Sequence, residues 1–364
     1  MKNLCFLCFC SADKGGINRV VSSLCNELST DKRYNIHILS ICEKEPILAY
    51  EVNKNINVWC LGAKSSWRLR NTVIFSIPKI IKYIKENHID IIFMTGHYVP
   101  PIALLTKPFV KCKFIFWDHG ALENQISDKK ATLFRRMASK ISDKIIVLTK
   151  RSKEAYKKRF GICDDKIEYI YNFLDESIFD YLKEYDYKSK KLLSVGRISP
   201  EKGYDMLLDI AQKLLKKYDD WEWHIYGDGE ELSNIKTKVC AMGLENRLVF
   251  KGGGHNIYKI YKDYGIYVMT SYREGLPLVL LEAKANGLPV VSFDCATGPA
   301  EIVRNGIDGY LIKCYNKQSM IDKLSELMEN ESLRIKLSEH SKENLVDFDK
   351  NVIVEKWKNL IDKI

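Results

Sequence analysis

Short apolar runs of the kind that form buried strands recur along the chain and alternate with stretches of helical periodicity. The apolar runs lie at residues 4–10, 36–42, 89–95, 114–117, 144–148, 191–195, 222–226, 248–250, 266–270 and 289–292. The amphipathic helical patterns lie at residues 17–28, 77–87, 203–218, 230–242, 256–263, 277–286 and 351–364. This alternation predicts an α/β protein whose parallel sheets are covered by helices on both faces.

The alternation falls into two blocks, because residues 172–190 have little periodicity and many charged residues and tyrosines. We therefore predict two doubly wound, Rossmann-like domains, residues 1–172 and 190–345, that face each other across a cleft. Residues 346–364 are predicted to form a terminal segment with an amphipathic helix. Since ligands of open parallel sheets bind beyond the carboxyl ends of the strands, the residues that follow each strand are candidates for function.

The composition is that of a soluble globular protein, since 46% of the 364 residues are hydrophobic and 29% are charged. No stretch reaches the ~20 apolar residues of a membrane-spanning helix. The apolar start, residues 4–10, runs into a glycine loop and is interpreted as a first strand rather than a signal peptide. Eleven scattered cysteines suit buried thiols in a reducing compartment. We therefore expect a cytoplasmic protein.

The positive charge is concentrated in the first half of the chain. Residues 1–170 contain 29 lysines and arginines against 16 aspartates and glutamates, whereas the remainder contains 28 against 31. Dense basic runs lie at residues 129–130, 135–136, 150–153 and 157–159. Such a face suits nucleic acid, an anionic membrane or a phosphorylated acceptor, and it equally suits solvated helix surfaces.

The stretch that follows the apolar run 266–270 has the richest chemical signal. Gly275 permits close backbone approach to a ligand, and Pro277 suits the first turn of a helix. Free N–H groups at the start of that helix attract an anion, and the carboxylates of Glu274 and Glu282 accept hydrogen bonds from vicinal hydroxyls. The stretch predicts a phosphate site between two sugar-binding carboxylates; a helix cap and a solvated glutamate are the alternative. Its members are Glu274, Gly275, Leu276, Pro277, Leu278, Val279 and Glu282.

Three further features follow predicted strands. Arg197 and Lys202 flank the loop after the run 191–195, where two cations suit a diphosphate, although surface cations are the simpler interpretation. Gly15 and Gly16 follow the first strand and permit close approach to a phosphate or sugar. His119 follows the run 114–117 and is predicted to point into the cleft. An Asp-x-Asp spacing at residues 347–349 is interpreted as a helix N-cap rather than a metal site.

Together, and in this order, these motifs resemble those of glycosyltransferase family 4, a retaining family of GT-B fold. The most specific match is the pair Glu274 and Glu282, separated by seven residues. The resemblance spans nearly the whole chain. It implies that Arg197 and Lys202 hold the diphosphate of a nucleotide sugar, and that the amides of residues 275–279 bind its sugar and phosphates. Glu274 would contact the transferred sugar, and Glu282 the ribose.

In the first domain, the resemblance implies that Gly15 and Gly16 approach the diphosphate and that His119 lies near the reacting carbon. It also implies that the terminal segment 346–364 crosses back to this domain, and that neither a metal ion nor a cofactor is needed. One position departs from the family's pattern, because Asp118 stands where a glutamate often precedes the histidine.

We therefore expect a retaining glycosyltransferase that moves a hexose or N-acetylhexosamine from a nucleoside-diphosphate sugar, with a UDP-sugar as the expected donor. The acceptor would be a hydroxyl of a lipid-linked or saccharide molecule in bacterial polysaccharide synthesis. The expected catalytic residues are His119, Arg197, Lys202 and Glu274. The basic first half suits peripheral contact with the inner face of an anionic membrane, and no nucleic-acid partner is expected. The alternatives are a sugar-nucleotide epimerase of the same fold and a nucleic-acid-binding protein.

Overall fold

The computed structural model describes residues 1–43, 45–64, 66–125, 127–254 and 256–364. The chain forms two compact units. Unit 1 comprises Met1–Asn172 together with Asn351–Ile364, and unit 2 comprises Phe173–Lys350. The last residues of the chain therefore belong to the same unit as the first.

The helices and strands alternate along nearly the whole chain. The strands are β1 (Lys2–Cys8), β2 (Tyr34–Ser40), β3 (Asn57–Cys60), β4 (Ile91–Thr95), β5 (Lys113–Asp118), β6 (Lys144–Val147), β7 (Ile167–Tyr169), β8 (Lys191–Val195), β9 (Glu222–Tyr226), β10 (Leu248–Gly252), β11 (Ile266–Met269), β12 (Val290–Asp294) and β13 (Gly309–Lys313). The α-helices are α1 (Gly16–Ser29), α2 (Leu69–Glu86), α3 (Pro100–Thr106), α4 (Lys129–Ile141), α5 (Lys150–Phe160), α6 (Tyr204–Lys217), α7 (Leu232–Ala241), α8 (Leu278–Ala285), α9 (Pro299–Ile302), α10 (Lys317–Glu329), α11 (Glu331–His340) and α12 (Lys350–Lys363).

Unit 1 is built on a seven-stranded parallel sheet in the order β3-β2-β1-β4-β5-β6-β7. Alternate residues of each strand point to opposite faces of the sheet. Cys5 and Leu7 of β1 share one buried core with residues of α2, α3, α4 and α5. Phe6, between them, points to the other face and stacks on Phe93 with 4.6 Å between ring centroids. Apolar side chains on both strand faces explain why the first strand has the appearance of a continuous apolar run.

The C-terminal helix α12 packs on this second face of the unit 1 sheet. Trp357 is buried, with its ring 4.6 Å from that of Trp117 and 5.9 Å from that of Phe93. The Lys2 ammonium also donates to the carbonyl oxygen of Ile361 at 2.7 Å. The helix is thus part of the core of unit 1.

Unit 2 is built on a six-stranded parallel sheet in the order β10-β9-β8-β11-β12-β13. Residues of α6, α7 and α10 pack with alternate strand residues in one core. Lys284 of α8 is completely buried and pairs with the buried Asp308, with 2.9 Å between Nζ and Oδ2. Burial lowers the pKa of Lys284, while Asp308 opposes that shift. This ion pair ties α8 to the chain segment before β13.

Several predicted element boundaries are wrong. Residues 256–263 do not form the predicted helix; the short 3-10 turns Ile257–Lys259 and Tyr261–Asp263 lie there instead. Helix α2 begins at Leu69, eight residues before the predicted start. Strands β3, β7 and β13 and helices α3, α10 and α11 were not predicted, whereas α4 and α5 lie where solvated helix surfaces were one interpretation of the basic runs. Within the part of the chain that the structure describes, no helix is both long and apolar enough to cross a membrane.

Candidate active site

The loops after β8 and β11 of unit 2 are joined to each other at the carboxyl edge of the sheet. The N–H of Tyr272 donates to the carbonyl oxygen of Glu201 at 2.8 Å, and the Thr270 hydroxyl donates to that of Lys202 at 3.1 Å. Gly203 has a φ of +67°, and a Cβ atom there would lie 2.1 Å from the carbonyl oxygen of Thr270. The close approach therefore requires glycine at position 203.

Lys202 and Glu274 meet at this junction, although they are 72 positions apart in the sequence. The Lys202 Nζ atom donates to Glu274 Oε1 at 2.7 Å, and only 10% of the Glu274 side chain is exposed. Burial disfavours the charge on Lys202, but the Glu274 carboxylate outweighs burial and raises the pKa of the lysine. The ammonium group therefore stays charged at physiological pH.

Helix α8 begins next to this ion pair. Pro277 occupies the N-cap position, and its side chain makes no capping hydrogen bond. The hydroxyl of Thr297 donates to the carbonyl oxygen of Glu274 at 2.8 Å, which fixes the turn before the helix. Gly298 closes the other side, because a Cβ atom there would lie 2.8 Å from the carbonyl oxygen of Gly275. The first N–H groups of α8, at Leu278 and Val279, belong to a helix end that favours an anion.

Glu282 lies within α8, about one turn after its first residue Leu278, and is 2% exposed. The hydroxyl of the buried Tyr261 donates to Glu282 Oε2 at 2.6 Å. This hydrogen bond fixes the orientation of the Glu282 side chain. Sequence reasoning missed Tyr261, which stands in the segment wrongly predicted as a helix and has no motif around it.

Arg197 follows β8 as predicted, but its side chain is largely exposed. The Nε atom lies 3.5 Å from Glu230 Oε2, and 69% of the side chain is accessible to solvent. The structure therefore does not bring its guanidinium group into the Lys202 and Glu274 pair. The neighbouring Gly227 has a packing role, since a Cβ atom there would overlap the carbonyl oxygen of Gly196.

In unit 1, His119 directly follows β5 and is buried. Its ring lies 4.2 Å from that of Trp117. Burial lowers the pKa of His119 to about 4, while Asp118 opposes the shift, so the imidazole is neutral at physiological pH. Among the described residues, Nε2 has no hydrogen-bond partner. A neutral imidazole with an available nitrogen suits a hydrogen bond to a substrate rather than a charge contact.

Asp118 stabilises the fold beside His119. Its carboxylate accepts from Arg135 Nε at 2.6 Å, from the Tyr156 hydroxyl at 2.6 Å and from the Gly120 N–H at 3.0 Å. Burial favours its neutral form, but Arg135 outweighs burial and lowers the pKa of the carboxyl group. Arg135 is completely buried, so its assignment to the basic surface is wrong.

Gly15 and Gly16 lie where β1 is joined to α1, with Gly15 at the N-cap position and Gly16 as the first helical residue. A Cβ atom at either position would meet no atom within 4 Å, so both face open space. Asn18 fixes the loop by donating to the carbonyl oxygens of Cys10 and Asp13, both at 2.8 Å. The exposed backbone start of α1 is thus held in place.

The predicted site residues therefore fall into two sets. Unit 2 brings together the ion pair, the start of α8 and Glu282; unit 1 holds the histidine and the glycine pair. Within the described residues, no group of three or more histidine, cysteine, aspartate or glutamate side chains is placed to bind a metal ion.

Comparison with known proteins agrees with this architecture. The family model described as "Glycosyltransferase Family 4" matches residues 14–178, and the one described as "Glycosyl transferases group 1" matches residues 182–344. The amylovoran biosynthesis glycosyltransferase AmsD of Erwinia amylovora is 30% identical over 96% of this chain and 97% of its own length. A Campylobacter jejuni α-1,4-N-acetyl-D-galactosaminyltransferase, whose name gives an undecaprenol-diphosphate-linked substrate, is 24% identical over 97% of this chain and 96% of its own.

Among solved structures, a Staphylococcus aureus TarM mutant in complex with fondaparinux, α-GlcNAc-glycerol and UDP aligns over 99% of both chains with a TM-score of 0.85 at 18% identity. The fold is thus that of the GT-B glycosyltransferases. With both family models matched in chain order, the protein belongs to the group 1, family 4 glycosyltransferases.

Proposed function

We propose that the protein transfers a sugar from a UDP-sugar to a hydroxyl group with retention of anomeric configuration. The observation that carries this proposal is the Lys202 and Glu274 ion pair at the start of α8. This place offers an ammonium group and helix N–H donors to a diphosphate, and a carboxylate to sugar hydroxyls. UDP is present in the similar TarM complex, which supports this choice of nucleotide.

In the proposed reaction, the bond between the anomeric carbon and the diphosphate oxygen breaks, and the acceptor oxygen bonds to the same carbon. The acceptor proton passes to the departing phosphate oxygen on the same face of the sugar. Lys202 and the α8 N–H groups stabilise the negative charge that develops on the diphosphate. Arg197 reaches the diphosphate by a change of side-chain rotamer from its solvent-exposed position. These positive groups carry out the charge stabilisation, so no metal ion and no cofactor are proposed.

The remaining residues position the donor. Glu274 accepts hydrogen bonds from the transferred sugar, and Glu282, held by Tyr261, accepts from the ribose hydroxyls. The residue set in unit 1 contributes through Gly15 and Gly16, whose backbone is open to a phosphate. His119 contributes a neutral hydrogen bond near the reacting carbon.

The acceptor is proposed to be a lipid-linked or saccharide molecule in bacterial surface polysaccharide synthesis. Support comes from the names of the relatives, which are an amylovoran biosynthesis enzyme and an enzyme for an undecaprenol-diphosphate-linked saccharide. A lipid-linked acceptor also suits a protein that lies on the inner face of a membrane, a position proposed here from the charge of residues 1–170.

Purified protein incubated with UDP-, GDP- and dTDP-sugars tests the donor proposal, with nucleotide release as the measurement. We expect release from a UDP-sugar that increases when an alkyl glycoside acceptor is added. NMR of the product should show the same anomeric configuration as the donor. An inverted product would contradict retention, and an epimerised free nucleotide sugar formed without acceptor would favour an epimerase.

A further inference from the structure

Four helices of unit 1 cover the same face of its sheet. Buried residues of α2, α3, α4 and α5 share one core, to which Ile80, Ile102, Ala138 and Tyr156 each contribute one side chain. Because these positions face the sheet, the opposite sides of the four helices form one outward layer. We call this layer, with the turn Lys107–Phe109 that follows α3, the basic layer.

The basic layer contains the whole positive excess of the first half of the chain. Its helices and the turn hold 16 lysines and arginines against the two glutamates Glu86 and Glu154. Arg135 is the buried exception among these cations. Carboxylates beside the layer pair with only a few of its positively charged side chains: Asp143 pairs with Lys107, and Asp164 pairs with lysines of α5. A strongly positive surface remains.

Large apolar side chains stand out of the same surface. Ile74 of α2 is 66% exposed, Leu105 of α3 is 48%, Phe109 in the following turn is 61% and Leu133 of α4 is 51%. Lys129, Lys130, Arg136 and Lys140 of α4 are exposed around Leu133. Apolar side chains among cations are the pattern of a helix surface that lies in the interface of an anionic bilayer.

We infer that the basic layer binds anionic lipid membranes, with Ile74, Leu105, Phe109 and Leu133 entering the headgroup region. This inference rests on the proposed peripheral position of the enzyme and identifies the surface that contacts the membrane. Each lysine or arginine near an anionic surface strengthens partitioning about fivefold, so a few suffice for reversible binding when apolar contacts add to them. Nucleic acid would complement the positive charge, but it offers no apolar region in which aliphatic side chains such as Ile74 and Leu105 could be buried.

This placement has a geometric consequence within unit 1. Gly16 and His119 lie at the carboxyl edge of the sheet, whereas the basic layer covers one face of it. A bilayer against the layer leaves that edge beside the membrane surface and uncovered by it. A lipid-linked acceptor in the membrane would then present its saccharide next to this edge.

Vesicle sedimentation of the full chain tests the inference. Vesicles of phosphatidylcholine alone are compared with vesicles that contain phosphatidylglycerol, at low and high salt. The charge variant is Lys129→Glu/Lys130→Glu, in which glutamates at the start of α4 suit the helix dipole and preserve the fold. Its control is Lys236→Glu/Lys238→Glu, which makes the same charge change on the exposed side of α7 in unit 2.

Wild type should bind the anionic vesicles and lose much of its affinity at high salt. Loss of the two lysines alone corresponds to about 30-fold weaker partitioning, so the variant with two glutamates should bind at least that much more weakly, whereas the control should bind like wild type. Leu105→Asp/Phe109→Asp should abolish the binding that persists at high salt, and Ile307→Asp, an exposed apolar position of unit 2, should not.

Equal binding to neutral and anionic vesicles, or no effect of the basic-layer substitutions, would overturn the inference. Release of the protein from vesicles by stoichiometric single- or double-stranded nucleic acid would favour the nucleic-acid alternative and also overturn it. UDP release with a soluble acceptor is measured on the same variants and should be unchanged. Vesicle binding by wild type that shows no UDP release from any UDP-sugar would refute the proposed function alone.

Discussion

Substitution of Lys202 by methionine removes the ammonium group proposed to stabilise the departing diphosphate while keeping most of the side-chain volume. Two unit charges about 4 Å apart interact by about 4 kcal/mol at an effective dielectric constant of about 20. Glu274, whose Oε1 lies 2.7 Å from Nζ, cancels part of that field. We therefore expect a loss of about 3 kcal/mol in the transition state, or about 150-fold in kcat.

The measurement is UDP release from the donor in the presence of saturating acceptor, with Lys213→Met as the matched control. Lys213 lies on the exposed side of α6 and should tolerate the change. Because Lys202→Met leaves the nearly buried Glu274 carboxylate without its ammonium partner, it should also lower the midpoint of thermal unfolding. The double variant Lys202→Met/Glu274→Gln should recover this stability and stay inactive.

Comparison of the single and double variants separates an effect on catalysis from an effect on stability. If Lys202→Met keeps kcat within about threefold of wild type, a change under ~0.7 kcal/mol, the assignment of Lys202 to the diphosphate is refuted. If the double variant recovers turnover together with stability, the ion pair is structural and the diphosphate is bound elsewhere.

Three further predictions concern other buried polar groups. Tyr261→Phe should raise KM for the UDP-sugar about tenfold with little change in kcat, because the variant no longer orients Glu282 toward the ribose. The effect should vanish with a 2′-deoxyuridine donor. An equal effect on both donors would refute the proposed contact between Glu282 and the ribose. Lys284→Met leaves the buried Asp308 carboxylate with Arg304, whose Nε lies 2.6 Å from Oδ2, as its remaining ion-pair partner. Urea unfolding should therefore show a loss of about 2 kcal/mol, and a change under ~0.5 kcal/mol would contradict the importance of the lysine. His119 has a pKa of about 4 in the folded protein and about 6.5 when unfolded, so the folded state is favoured most above pH 6.5 and loses this advantage as pH falls toward 4. His119→Gln should therefore flatten the dependence of the unfolding free energy on pH between these values. An unchanged slope would assign the acid sensitivity to other groups.

The alternation of strands and helices was predictable because parallel strands buried on both faces form continuous apolar runs. Strand β3 lies at the edge of its sheet and alternates between exposed and partly buried residues, so no such run marks it. Helices α4 and α5 were foreseen only as one interpretation of the basic runs, because lysines and arginines dominate them and obscure the apolar periodicity. In α4, the buried Arg135 cannot be distinguished in sequence from the exposed Arg136 beside it. Its burial depends on Asp118, a residue of another element.

Contacts between distant elements also limited what could be predicted of the candidate active site. The rule that ligands bind after strands selected both Lys202 and Glu274, but their pairing depends on β8 lying next to β11, which no local pattern shows. The segment containing Tyr261 was predicted as a helix because its apolar spacing is ambiguous over eight residues. Its two 3-10 turns hold the tyrosine at a position that propensity alone does not predict.

The position of α12 in the core of unit 1 has a consequence for how the chain is made. Its Trp357 covers a patch around Trp117 and Phe93 that is synthesised long before it. Trp357 follows Asn172 by 185 residues, so at roughly 5–20 residues per second the patch stays uncovered for ~10–40 s of synthesis. Unit 2 has all of its residues in one continuous stretch and can fold during that interval. A nascent chain that stalls before residue 351 would expose aromatic surface and be a target for chaperones and proteases.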